Sequence, residues 1–211
     1  NGQKFLKLGS VAETPEDFTE HFRDPKVFRT ESGTYFMLTG AQRKSGKGAL
    51  ALFRSGDGLT WKYSGIPAVT EEYEMVECPD LFCLDGTYVL LYCPQKRDNE
   101  KDADISSFSA VKTVTFNEQD GTLDDADLDQ NFTKTDSGFD FYAPQTFEAP
   151  DGRRILYAWM SRMDEEQEEA FSKGEPRIHC LTLPRELKIR NGKLIQTPVK
   201  ELEQLKGDEI P

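Results

Sequence analysis

A proline-led unit occurs three times in the chain and limits its possible folds more than any other feature. In each copy a proline opens a short run ending in Phe, a glycine-bearing turn follows, and a second apolar run closes the unit. The first copy is Pro25-Lys26-Val27-Phe28, then Gly33, then Tyr35-Phe36-Met37-Leu38. The second is Pro79-Asp80-Leu81-Phe82, then Asp85-Gly86, then Tyr88-Val89-Leu90-Leu91-Tyr92. The third is Pro144-Gln145-Thr146-Phe147, then Asp151-Gly152, then Ile155-Leu156-Tyr157-Ala158-Trp159. The prolines stand 54 and 65 residues apart. Ser-Gly and Asp-Gly between β-rich runs predict hairpins, because glycine supplies the positive φ of a tight turn.

Further strands are predicted at Ala49–Arg54, Trp61–Tyr63, Ser109–Phe116 and His179–Leu183. Repeating four-stranded units of about 50 residues predict a β-propeller, in which blades ring a central channel. A β-sandwich uses similar strands but gives no reason for the shared phase. Two acidic stretches interrupt the pattern. Asn117–Asp140 reads as a long surface loop or hairpin tip, and Asp164–Phe171 as a solvated insertion. Three clear repeats fall short of a closed ring, and the chain opens on Asn1 rather than Met. The expectation is an all-β fragment in which residues 1–211 form an incomplete propeller of three to four blades.

Charge narrows the choice of partner. The 211 residues hold 26 basic and 38 acidic side chains, a net charge of −12. Such a surface repels a phosphate backbone, whose recognition rests on Lys and Arg. No apolar run approaches the 18 residues of a membrane helix. Neither nucleic acid nor membrane is expected as a partner. Cys78, Cys83, Cys93 and Cys180 form no C-x-x-C pair, and His21 and His179 have no metal-ligand spacing. No metal or cofactor is therefore expected. Reduced thiols at this low density point to the cytoplasm.

The residues preceding the three prolines are Arg23-Asp24, Glu77-Cys78 and Tyr142-Ala143. In a propeller, equivalent positions on adjacent blades converge at one end of the channel. That brings the carboxylates of Asp24 and Glu77 into one pocket with Arg23 and Tyr142 nearby. Two carboxylates with hydrogen-bond donors, and no activated Ser or Cys, suit glycoside hydrolysis: one carboxyl protonates the leaving oxygen while another attacks or activates water. Each residue alone has an ordinary structural reading, Asp before Pro being common at turns. Their shared phase is what sets them apart.

Phe22-Arg23-Asp24-Pro25-Lys26-Val27 and Met75-Val76-Glu77-Cys78-Pro79-Asp80 resemble two signature motifs of glycoside hydrolase family 32, the β-fructosidases. Ser55-Gly56-Asp57-Gly58-Leu59-Thr60-Trp61, Asp140-Phe141-Tyr142-Ala143-Pro144-Gln145, Ile155-Leu156-Tyr157-Ala158-Trp159-Met160 and Leu183-Pro184-Arg185-Glu186-Leu187 extend the resemblance along the chain. The resemblance implies a five-bladed propeller followed by a β-sandwich, with the first blade and the sandwich missing here. It implies a sugar substrate, either sucrose, sucrose 6-phosphate or a fructan. It makes Glu77 the general acid/base and Asp24 the transition-state stabiliser, with Arg23, Asp140, Tyr142 and Trp159 as substrate-binding residues. The family's nucleophile is the Asp of an Asn-Asp-Pro-Asn motif, which does not occur in this sequence. The chain alone is thus expected to be inactive, and open blade edges to favour self-association. An inverting furanosidase of the arabinanase type and a non-catalytic carbohydrate-binding propeller remain as alternatives.

Overall fold

Each proline-led unit folds as the inner half of a four-stranded antiparallel sheet. The computed structural model describes residues 4–95, 108–138, 140–161 and 179–207. The first sheet runs β1 (Phe18–Arg29), β2 (Tyr35–Arg43), β3 (Gly48–Ser55) and β4 (Lys62–Val69), in that spatial order. The second contains β5 (Met75–Leu84), β6 (Thr87–Gln95), β7 (Ala110–Val114) and β10 (Thr133–Lys134), with β5 innermost. A two-stranded hairpin, β8 (Phe116–Asn117) with β9 (Thr122–Leu123), branches off between β7 and β10. The third sheet is β11 (Tyr142–Glu148), β12 (Arg154–Trp159), β13 (Arg185–Arg190) and β14 (Lys193–Pro198). Among the described residues, each of these three sheets is antiparallel throughout and has the form of a propeller blade.

Turn chemistry fixes the register within each blade. Asp85 and Gly86 both take positive φ, 52° and 77°, as a two-residue type I′ turn requires between the paired Leu84 and Thr87. In the third blade only Gly152 of the Asp-Gly pair needs positive φ, because that loop is longer and closes through Gly152 N–H to the Ala149 carbonyl.

Two expectations are corrected by the strand positions. His179–Leu183 is not a strand: it makes one isolated bridge, Trp159 to Leu181, and the third strand of that blade lies beyond Pro184 as β13. Proline offers no N–H to a ladder and separates the two segments. The Asn117–Asp140 stretch does hold a hairpin tip, between β8 and β9, but it also supplies the outermost strand β10, whose Thr133 and Lys134 pair with Val111 and Ala110. The Asp164–Phe171 segment lies outside the described residues.

The core lies between blades, and strand alternation sorts residues to either side. Leu38, Leu50 and Leu52 of the first blade meet Val76, Leu81, Leu90 and Tyr92 of the second. The opposite face of the second blade, with Phe82, Val89 and Leu91, packs on Phe141, Leu156 and Leu187 of the third. A strand buried on both faces reads as a continuous apolar run, as β6 does. Fully burying each such side chain contributes roughly 2 kcal/mol. Close approach also has a specific requirement at Gly40, where a Cβ would collide with the Val76 carbonyl oxygen.

One irregularity recurs in every blade and prepares the site. Arg23 pairs with Gly40 while Lys26 pairs with Leu38; Glu77 pairs with Cys93 while Asp80 pairs with Leu91; Tyr142 pairs with Trp159 while Gln145 pairs with Tyr157. Three steps on each inner strand thus match two on its neighbour, which is a β-bulge. The bulged residues Asp24, Cys78 and Ala143 have φ of 61°, 49° and 48°, and each precedes its blade's proline. Positive φ at a residue with a Cβ costs on the order of 1 kcal/mol. The bulge turns residues three apart toward the same side of the strand.

Candidate active site

Arg23, Glu77 and Tyr142 occupy the same position in the three inner strands, immediately before the bulge, and their side chains meet. Arg23 donates to Glu77 Oε1 through Nε at 2.9 Å and Nη2 at 2.7 Å. Tyr142 donates its hydroxyl to Glu77 Oε2 at 2.5 Å. The two carboxylate oxygens therefore have different jobs. Oε1 is saturated by the guanidinium, so a proton carried by Glu77 belongs on Oε2. A phenol both donates and accepts, so Tyr142 fits the ionised carboxylate as donor and the protonated one as acceptor. Burial, with Cys93 and Glu77 nearby, pushes the Tyr142 phenol far above its usual value and keeps it un-ionised.

Asp24 sits one residue further on, in the bulge itself. Its Oδ2 accepts the Cys78 backbone N–H at 3.1 Å and lies 3.5 Å from the Cys78 thiol. The Cys78 carbonyl accepts from Gln145 Nε2 at 3.3 Å. A bulge removes these backbone groups from their own ladder, and the two adjacent blades supply partners. The Cys78 thiol is pushed up by its hydrogen bond with Cys93 and by burial, so it stays a neutral thiol. Trp159 stands edge-on to Tyr142 at 6.4 Å between ring centroids, and His179 lies 5.0 Å from Trp159. On the first blade, Arg23 Nη1 lies 3.4 Å from His21 Nδ1.

The structure thus brings Arg23, Asp24, Glu77 and Tyr142 together and sets Trp159 against Tyr142. Asp140, two residues before Tyr142, lines a cavity of about 660 Å³ with Asp136, Phe141, Met160 and Arg185. None of the four clustered residues lines that cavity.

A second cluster was not singled out in the sequence. Lys26, Asp80 and Gln145 share the position just after each proline and also meet across the blades. Lys26 Nζ is 3.2 Å from Asp80 Oδ2, 3.1 Å from Gln145 Oε1 and 2.6 Å from the Thr146 carbonyl. Asp80 Oδ2 further accepts the Thr146 N–H at 2.7 Å and its hydroxyl at 2.8 Å. Burial raises the Asp80 pKa against the opposing pull of Lys26 and Thr146. The signal that could have found this cluster is the one that found the first: a shared phase in the repeat.

Residues 1–198 match the family description "Glycosyl hydrolases family 32 N-terminal domain". The chain belongs to glycoside hydrolase family 32. Among curated family 32 relatives, the sucrose-6-phosphate hydrolase of Bacillus subtilis is 39% identical over 99% of this chain and 44% of its own length. That of Klebsiella pneumoniae is 37% identical over 97% of this chain and 44% of its own. The chain therefore spans less than half the length of these relatives. The solved sucrose-6-phosphate hydrolase of Lactobacillus gasseri superposes with a TM-score of 0.79 at 28% identity, over 95% of this chain and 41% of that one. A Bombyx mori family 32 β-fructofuranosidase gives 0.79 at 25% identity, over 94% and 41%. A variant of the latter was solved with sucrose bound.

Proposed function

We propose that this chain forms part of a retaining β-fructofuranosidase acting on sucrose or sucrose 6-phosphate. The observation that carries the reading is the Glu77 carboxylate, held by Arg23 on one oxygen and Tyr142 on the other. In this reading Glu77 Oε2 protonates the glycosidic oxygen as the bond breaks, then takes a proton from the water that releases the fructosyl group. Asp24 holds fructosyl hydroxyls and stabilises positive charge developing at the anomeric carbon. Trp159 forms an aromatic wall, and Asp140 contributes on the Tyr142 side. The three blades are then part of a five-bladed ring.

The nucleophilic aspartate of the family motif is not in this sequence, so the chain on its own is inactive: without a covalent intermediate the displacement is not divided into two easier steps. Its free strand edges favour self-association. A cytoplasmic location belongs to the same proposal and rests on the cysteine argument.

The test is Glu77→Gln in the full-length protein that contains this chain. Hydrolysis of sucrose or its 6-phosphate should fall about a thousandfold while sugar binding persists. Undiminished hydrolysis would remove Glu77 from the chemistry. The anomer of the first-formed fructose, followed by NMR in the unmodified enzyme, separates mechanisms: retention supports this proposal, and inversion favours the arabinanase-like alternative.

A further inference from the structure

We infer that Asp80 is a positioning residue for Glu77, acting through the bulge that separates them. The inference rests on the reading of Glu77 as the proton-carrying group and adds a residue that never touches substrate. Asp80 Oδ2 is tied on one side to Lys26 of β1 and on the other to the backbone and hydroxyl of Thr146 in β11. Lys26 also donates to the Thr146 carbonyl, closing a triangle across the three inner strands. This triangle lies three residues along β1 and β5 from Arg23 and Glu77, and four along β11 from Tyr142.

The three inner strands belong to different sheets, so no ladder bonds set the spacing between them, and each is bulged between the two clusters. The cross-blade bonds around Asp80 take over that task. Their geometry decides how far Arg23 and Tyr142 stand from the two oxygens of Glu77. Small displacements matter there, because a charge-assisted hydrogen bond loses strength steeply as it lengthens or bends. The groups facing Glu77 are Arg23 of β1, Tyr142 of β11 and the thiol of Cys78, which in turn meets Asp24 and Cys93.

Asp80→Asn in the full-length enzyme tests this, because Asn keeps the shape and still accepts from Thr146. Three mechanisms give different results on the basic limb of the kcat/KM pH profile, which reports the acid in the free enzyme. If Asp80 positions Glu77, Arg23 slackens its hold on the carboxylate. The limb then moves up by about half a pH unit, and kcat falls about tenfold with KM nearly unchanged. If Asp80 acts only as a distant negative charge, its removal moves the limb down. If Asp80 serves only folding, the limb stays in place and kcat per folded molecule is unchanged. Either of the last two results overturns the inference, as does a fall in kcat with an unmoved limb.

Should Asp80→Asn fail to fold, Thr146→Val removes a single bond to Asp80 and keeps the ion pair. The same upward shift, smaller in size, is then expected, and its absence overturns the inference. Glu77→Gln is measured alongside. Full activity there defeats the proposed function itself, whereas an inactive Glu77→Gln beside an unmoved Asp80→Asn profile defeats only the positioning role.

Discussion

The two cross-blade clusters are built from similar parts and put them to different uses. Each joins a cation from β1, a carboxylate from β5 and neutral groups from β11. Before the bulge, both Glu77 oxygens are engaged and its side chain remains 11% exposed. After it, the Asp80 side chain is 1% exposed, one oxygen carries every bond, and the buried Oδ1 has no hydrogen-bond partner. A carboxylate that must give up and recover a proton needs a route to substrate and donors that tolerate both states. One that fixes strand spacing needs neither, and burial strengthens its bonds. The difference lies in solvent access and bond distribution rather than residue type.

The largest stability contrast comes from removing the two cations. Lys26→Met leaves the Asp80 charge buried without its counter-ion and should cost about 3 kcal/mol. Arg23→Met, at a side chain 32% exposed, should cost roughly 1 kcal/mol or less while abolishing most turnover. Urea unfolding and sucrose hydrolysis on both variants of the full-length protein check the pair; equal stability losses would erase the distinction between the clusters. Next in size is Tyr142→Phe, which removes the donor on Glu77 Oε2 and should lower kcat about tenfold, near 1.4 kcal/mol. The matching change at the second cluster, Thr146→Val, should cost less in kcat.

The smallest effect is a linkage. Burial raises the Asp80 pKa above the ordinary aspartate value of 3.8, so the folded chain takes up this proton before the unfolded chain does. The group's contribution to stability is therefore fully present below 3.8 and is lost as pH rises through the folded value. Relative to Asp80→Asn, which does not titrate, the unmodified protein should gain stability as pH falls from neutrality toward 4. Parallel unfolding curves for the two proteins across that range would show that Asp80 is less buried in solution.

Much of the architecture was legible because hairpin turns and proline phase are written in residue types. The same phase drew attention to Arg23, Glu77 and Tyr142, whose chemistry is conspicuous. Lys26, Asp80 and Gln145 carried an equal phase signal but looked like ordinary polar residues beside a proline. Nothing in the type Asp announces that its carboxylate will be buried. The bulges were hidden for a related reason: Asp24, Cys78 and Ala143 adopt positive φ without being glycine. The shift of the strand expected at His179–Leu183 to Arg185–Arg190 follows from Pro184 and the pairing of Arg185 with Leu156.

The threefold bulge has a consequence for how such a centre can change. Because the backbone bends the same way in all three blades, it offers three equivalent sockets aimed at a common point. A guanidinium, a carboxylate and a phenol fill them here. Exchanging one for another requires no new loop and no new register, only a different side chain at a fixed address. A scaffold of this kind can rewrite its chemistry one substitution at a time.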